Sequence, residues 1–543
     1  MEQMDLNKRL LIAIALSVAI LFGFNYLFPV SKKRSGTENN LTKNVQNSAV
    51  SSRAAPSVEK PSNPSLSPID GAAPSAASSS KNIKDEKLLA TVKTDKYTMK
   101  IDHLGRITSV VLHESKYTDK NGKPLDLIDS SKTLPLEIRF KDENINDRAF
   151  KVDYVASSEN IDAEKDRAKI VLRQDLGSLS VSKEIVFYPD GHYDISVNTS
   201  DSVEFFMTTG HRPEADKSKY MIVRGALVRD QDGVITTIED GKAEEPEVFP
   251  QATIVSSFDR YYASLFYSFD KPVSAVVSPE NGSDPLPFVS AKGSLSIHGY
   301  TGPKEWKLFG RLDGRLTDAI EFGWFTFLSK PFFKVMLWMY NFVGNWGWAI
   351  VMFTILVKLV LFPLSYKGMM SMQKLKDLAP KMKEIKERYG KDPAKMNQQM
   401  MELYRKHGAN PMGGCLPMLL QIPVFFALYR VLLNADELQG APWILWINDL
   451  SRQDPWFVLP LLMGVTMYLQ QKITPSNVTD PMQQKIFKWF PVIMTFFFLT
   501  FPSGLVLYWL TNNILSIAQQ YFINRAYERH KEQMKSRHEQ ELG

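Results

Sequence analysis

Residues 348–364 read W-A-I-V-M-F-T-I-L-V-K-L-V-L-F-P-L, a run long enough to cross most of a bilayer that holds one formal charge, Lys358, with Thr354 one helical turn before it. Thr354, Lys358 and Ser365 fall near one helical face, a polar stripe leading toward Lys367. An ionised group inside a membrane helix costs roughly 2.5–3.5 kcal/mol at its centre, so it pairs, snorkels or faces water. Pairing can be checked by reading: 348–364 and the other apolar stretches of this half, 413–433, 456–471 and 489–523, contain no Asp, Glu or His. Two placements remain. Lys358 snorkels along the roughly 9 Å of helix that separate it from Leu364, or it lines a water-filled pocket of hydroxyl and amide groups. In either case the charge looks toward Lys367.

The rest of the chain arranges itself around this half. Residues 1–30, with the apolar run 10–28 behind Lys8 and Arg9, are expected to be an uncleaved membrane anchor, and Ser/Pro/Ala-rich 31–86 a flexible tether. Short alternating runs over 87–320, such as Tyr97–Ile101, Ile107–Leu112 and Leu179–Phe187, predict a large antiparallel β-sandwich, with Pro189-Asp190-Gly191 as a hairpin turn. Its histidines (103, 113, 192, 211 and 298) show no metal-ligand spacing. Aromatic-rich 321–343, interrupted by Lys330-Pro331 and Lys334, is expected to lie in the membrane interface. Residues 344–366 form the second span. Residues 367–412 form a helical hairpin, kinked at Pro380 and turning at Gly390, whose second helix opens at Asp392-Pro393. Four further spans fill 413–523, the last two split at Phe501-Pro502-Ser503-Gly504, and a basic tail occupies 524–543.

Charge placement orients the spans. The net charge is +6, and eleven Lys and Arg fall in 367–412, two (Lys472 and Lys485) in 472–486 and five in the tail, against Arg452 alone in 434–454. The first three segments are therefore read as cytoplasmic, with both termini inside and the β domain outside. Arg430, near the outer end of its span, is expected to snorkel toward Asp436 and Glu437. The lone cysteine, Cys415, excludes an intrachain disulfide and any multi-cysteine metal site.

A second polar stripe, Tyr508, Asn512, Ser516 and Gln519, descends the last span, and Gln421 stands between Pro417 and Pro423 in the third. Each residue alone reads as an interhelical hydrogen bond. Two stripes with an unpaired lysine read as a hydrated groove open to the cytoplasm. Intramembrane proteolysis is disfavoured, because the spans lack the His, Asp or Glu it needs, and no Gly-rich phosphate loop is present. The chain is expected to be no enzyme, with no catalytic residues, cofactor or metal. A small-solute transporter or channel, or a membrane assembly scaffold, are the competing classes.

Four motifs then suggest a family. F-V-G-N-W-G-W at 342–348, N-P-M-G-G-C-L-P at 410–417, T-D-P-M-Q-Q-K at 479–485 and F-P-S-G-L-V-L-Y at 501–508 resemble the YidC/Oxa1/Alb3 membrane protein insertases of the Gram-negative type. The resemblance implies a polytopic α-helical membrane protein of six spans with a five-helix insertase core and a periplasmic β-supersandwich domain, in the bacterial inner membrane. It implies movement of nascent membrane proteins into that membrane, alone or with the Sec translocon (SecYEG, SecDF). The ribosome, the signal recognition particle pathway and membrane lipids are further expected partners, and DNA is not expected. Lys358 stands where the family usually has an arginine, Thr354, Gln421, Tyr508 and Asn512 fall on groove-lining positions, and Trp509 replaces a frequent tyrosine. Met369, Met370, Met372, Met382, Met396 and Met400 of the hairpin either pack its two helices together or offer an adaptable surface to apolar segments.

Overall fold

The computed structural model describes residues 87–542 except 120, 216–221, 281, 391, 409–415 and 475–480. The expected anchor and tether, and Cys415, lie outside the described residues.

Alternation builds the β domain as the sequence predicts. Along Ser180–Phe187 every second side chain is buried, and the strand turns through Pro189-Asp190-Gly191 into His192–Thr199. Gly191 sits at φ +91°, where a Cβ would meet the Tyr97 ring at 2.8 Å, and the Tyr97 hydroxyl donates to the Gly191 carbonyl at 2.6 Å. A four-stranded and a thirteen-stranded sheet share one core, in which Val92, Met99 and Val110 meet Val181, Ile185 and Ile195. One pairing departs from the antiparallel expectation: Leu88–Thr94 runs parallel to Asn160–Ala163. A tight hairpin forces antiparallel pairing, whereas a strand arriving through a long connection is free to pair either way. One inward position holds a lysine. Lys183 is fully buried, donates to the Gly105 and Leu136 carbonyls at 3.0 and 2.8 Å, and is pushed down to about 7 by burial.

The helices are α1 (Glu143–Ala149), α2 (Trp306–Leu312), α3 (Thr326–Val343), α4 (Trp346–Val360), α5 (Phe362–Tyr389), α6 (Pro393–Lys406), α7 (Leu416–Asn434), α8 (Val458–Ile473), α9 (Pro481–Phe498) and α10 (Ser503–Leu542). α3 runs through Pro331 without a break, burying Phe333, Met336 and Met339 and leaving Phe327, Trp338 and Phe342 exposed. Gly344 ends it in the left-handed region, and the Asn345 side chain caps α4 by accepting from the Trp348 N–H at 3.1 Å.

Residues 344–366, expected as the second span, are divided between two helices. α4 stops at Val360, and α5 leaves it at 64°. Pro363 in the first turn of α5 explains the site: it has no N–H to give and its ring excludes the carbonyl four residues back, so a helix begins there more readily than it continues. α5 then passes through Pro380 as one helix, so the sharp bend lies at Leu361. α5 packs Leu375 and Leu378 against Leu403 and Tyr404 of α6, whose first turn the Asp392 side chain caps through the Lys395 N–H. α9 and α10 separate at the Phe501-Pro502 break, where Ser503 binds the Arg452 carbonyl through both N–H and hydroxyl. The tail is no separate element, because α10 continues to Leu542 over 40 residues. Among the described residues no single helix is both long and apolar enough to cross a membrane, and the bent pair α4 and α5 together is.

A second apolar cluster joins the two halves. Leu227, Phe258 and Leu265 of the sheet pack with Trp306, Phe309 and Phe322, and these with Phe333, Trp346, Ile350, Leu432 and Leu505 of the helices. The β domain is thereby seated on α3, the N-terminal end of α4 and the C-terminal end of α7.

Candidate functional site

Lys358 lies in the last turn of α4, half-buried, and its ammonium donates to Ser516 Oγ of α10 at 2.7 Å. The Ser516 hydroxyl donates in turn to the Asn512 carbonyl, one turn earlier, at 2.8 Å. From α7, Gln421 Nε2 donates to Asn512 Oδ1 at 2.7 Å and reaches the Tyr508 hydroxyl at 3.4 Å. Three helices distant in sequence thus bring Lys358, Gln421, Tyr508, Asn512 and Ser516 into one hydrogen-bonded chain. Among the described residues no carboxylate stands within ion-pair reach of Lys358, so its charge meets neutral oxygen and is not cancelled.

The other two residues on the sequence-derived groove set are placed differently. Thr354 is buried and its hydroxyl donates to the Ile350 carbonyl of its own helix at 2.7 Å. Trp509 packs its indole against Phe425 and Phe498, with ring centres at 4.9 and 5.1 Å. Below the lysine, Gln373 of α5 donates to Asn524 of α10, and Asp377 accepts from Tyr527 at 2.9 Å and pairs with Lys531 at 3.0 Å. The hairpin is therefore tied to the extension of α10. Met369, Met370, Met372, Met382, Met396 and Met400 are all half-buried. Met382 packs with Leu375, Leu378, Leu403 and Tyr404 inside the hairpin, while Met401, which the sequence reading passed over, is the exposed one.

A second polar cluster, which periodicity did not reveal, sits where the β domain meets α7. Arg430 does not turn to Asp436 and Glu437 as expected. It pairs with Glu321 at 3.4 Å, and Asn434 donates to the Glu321 carbonyl at 2.6 Å. Glu321 is held there by the junction, closer than the turn beyond the helix end. Asp436 is fully buried and accepts from Lys116 at 3.1 Å and from the Tyr117 hydroxyl at 2.7 Å. Glu437 accepts from the Trp306 N–H at 3.0 Å, and Arg260 donates to the Leu433 carbonyl at 2.6 Å. The only advance signal is a pair of acids directly after an apolar run; the partners of Asp436 lie 320 and 319 positions away and that of Glu437 131.

Burial, with the Asp436 charge second, pushes Glu437 up to about 7. An acid raised on folding holds its proton while the unfolded chain gives it up, so the folded state loses stability as pH rises from its ordinary range near 4.5 to about 7. Glu437→Gln keeps an oxygen for the Trp306 N–H and removes the charge. Thermal unfolding in detergent should show it close to the parent at pH 5 and more stable at pH 8; equal melting at both would remove the assignment.

Among the described residues no group of three or more His, Cys, Asp or Glu is placed to hold a metal ion. The family model described as the 60Kd inner membrane protein matches residues 338–532, and that of the YidC periplasmic domain matches 289–335. The membrane protein insertase YidC of Campylobacter jejuni is 45% identical over 97% of this chain and 97% of its own. That of Wolinella succinogenes is 46% identical over 97% of this chain and 96% of its own. A solved structure described as an active YidC insertase with its first transmembrane domain resolved aligns over 81% of this chain and 94% of its own, at 20% identity and a TM-score of 0.36.

Proposed function

The chain belongs to the YidC family of membrane protein insertases, and on that premise we propose that the polar chain from Lys358 to Gln421 lines the groove through which segments of nascent membrane proteins leave the cytoplasm. The observation that supports this reading is the lysine itself, a cation at the end of an apolar helix whose ammonium meets the Ser516 hydroxyl rather than an acid. Moving a polar segment across a bilayer is opposed by dehydration of its charges and backbone. A groove that reaches part of the way shortens the dry path, and Lys358 lends a transient counter-charge. The apolar part of the client then slides into lipid, which drives the exchange.

The same proposal takes in six spans in the inner membrane, five of them in the insertase core, with both termini cytoplasmic and the β domain periplasmic. α8 has 16 residues, roughly 24 Å of helix against a hydrocarbon core of about 30 Å, so local thinning lowers the barrier further. Work beside the Sec translocon and receipt of chains from the ribosome belong here as well, supported by the basic hairpin and tail. The hairpin methionines offer clients a soft apolar surface.

The test is protease protection of a small single-span protein synthesised in vitro and added to liposomes holding the purified chain. Protection of the translocated tail in these liposomes, and none in empty ones, is the expected result. Solute flux without protection would move a transporter ahead.

A further inference from the structure

A lysine near the end of a membrane helix ordinarily runs its stem along the apolar surface and puts its ammonium into the nearer water. Lys358 does not follow that course, and Ser516 is the reason the geometry supplies. Ser516 is buried, and its single proton is spent on the Asn512 carbonyl. Its oxygen has only lone pairs left to offer, so toward α4 it acts as an acceptor, and the ammonium takes it at 2.7 Å. The turn that holds this acceptor also holds Gln421, through Asn512 Oδ1. One helical turn therefore sets both the cation and the amide.

The kind of partner matters. A carboxylate at this position would fix the lysine and also neutralise it, leaving nothing for an incoming acid. A hydroxyl fixes the direction and leaves the charge whole. Direction needs fixing because lysine is a point charge on a flexible four-carbon stem, without the preorganised fork of an arginine.

We propose that Ser516 is the positioning residue that aims Lys358 into the groove, and that it sets the preference of this insertase for acidic over neutral translocated segments. The inference rests on the groove reading above, and the experiment separates the two. Two single-span substrates differ only in the translocated tail, one bearing two aspartates and the other two asparagines. Both are added to liposomes holding the full chain as wild type, Ser516→Ala or Ser516→Thr. With Ser516→Ala, protection of the acidic tail should fall about tenfold, the scale of one charge-assisted hydrogen bond. The neutral tail should fall by clearly less than the acidic one by the same measure, thermal unfolding in detergent shows that the variant is folded, and Ser516→Thr should restore the acidic tail. Equal losses on both tails would reduce Ser516 to a packing role, and no loss on either would leave Lys358 aimed by something else; both results overturn the inference and leave the groove standing. Wild type that protects neither tail would overturn the groove reading and this inference with it.

Discussion

Lys358→Ala inserts an acidic-tailed substrate roughly ten- to a hundredfold less well than wild type, on the scale of a lost charge-assisted contact of about 1.5–3 kcal/mol, while Lys358→Arg stays close to wild type. The expectation follows from what surrounds the ammonium. No acid cancels it among the described residues, so its field is available to a client carboxylate that would otherwise pay its dehydration alone. Arginine keeps the charge and has donors enough to reach Ser516, so the exchange is conservative here in a way it is not at bidentate sites. Stability should move the other way. Alanine removes an ionised group from an apolar helix and leaves only a small hydroxyl oxygen without its donor, so melting in detergent should hold or rise as insertion falls. Three variants of equal insertion would make the lysine a bystander in a working insertase.

The second large effect lies at the domain junction. Lys116→Met should destabilise the seating of the β domain by about 3–5 kcal/mol, the usual result of stranding one member of a buried pair. Asp436→Asn should cost clearly less. The asymmetry comes from burial: Lys116 keeps some access to water, whereas Asp436 has none. Methionine therefore strands a carboxylate with Tyr117 as its remaining partner, while asparagine leaves the Tyr117 hydroxyl an oxygen to donate to and Lys116 a way out to solvent. pH supplies the check. Burial already raises Asp436 above its ordinary range against the pull of Lys116, and loss of the lysine raises it further. A raised acid costs stability as pH climbs past its unfolded value, so the Lys116→Met deficit should be widest at neutral pH and narrow toward pH 4. Thermal unfolding across that range, with limited proteolysis of the junction, measures it. Equal deficits for the two variants, or a deficit indifferent to pH, would remove the argument.

The sequence by itself determined what depends on neighbours along the chain. Period-two burial set the strand Ser180–Phe187 and its turn at Gly191, Gly390 and Asp392 set the hairpin, and Pro502 split α9 from α10, because each follows from dihedral preference and hydrophobic period within a few residues. That the apolar run around Lys358 carries no acid is likewise read from the sequence directly. Only the tertiary structure decided where the side chains of those elements found one another. Ser516 as the partner of Lys358 is 158 positions away, and Lys116 as the partner of Asp436 is 320. Arg430 chose Glu321 over the two acids just beyond its own helix for the same reason. Which polar groups meet is settled by how the apolar faces of α4, α7, α10 and the sheet pack together. That packing is a joint property of many side-chain volumes, and no local period in the sequence encodes it.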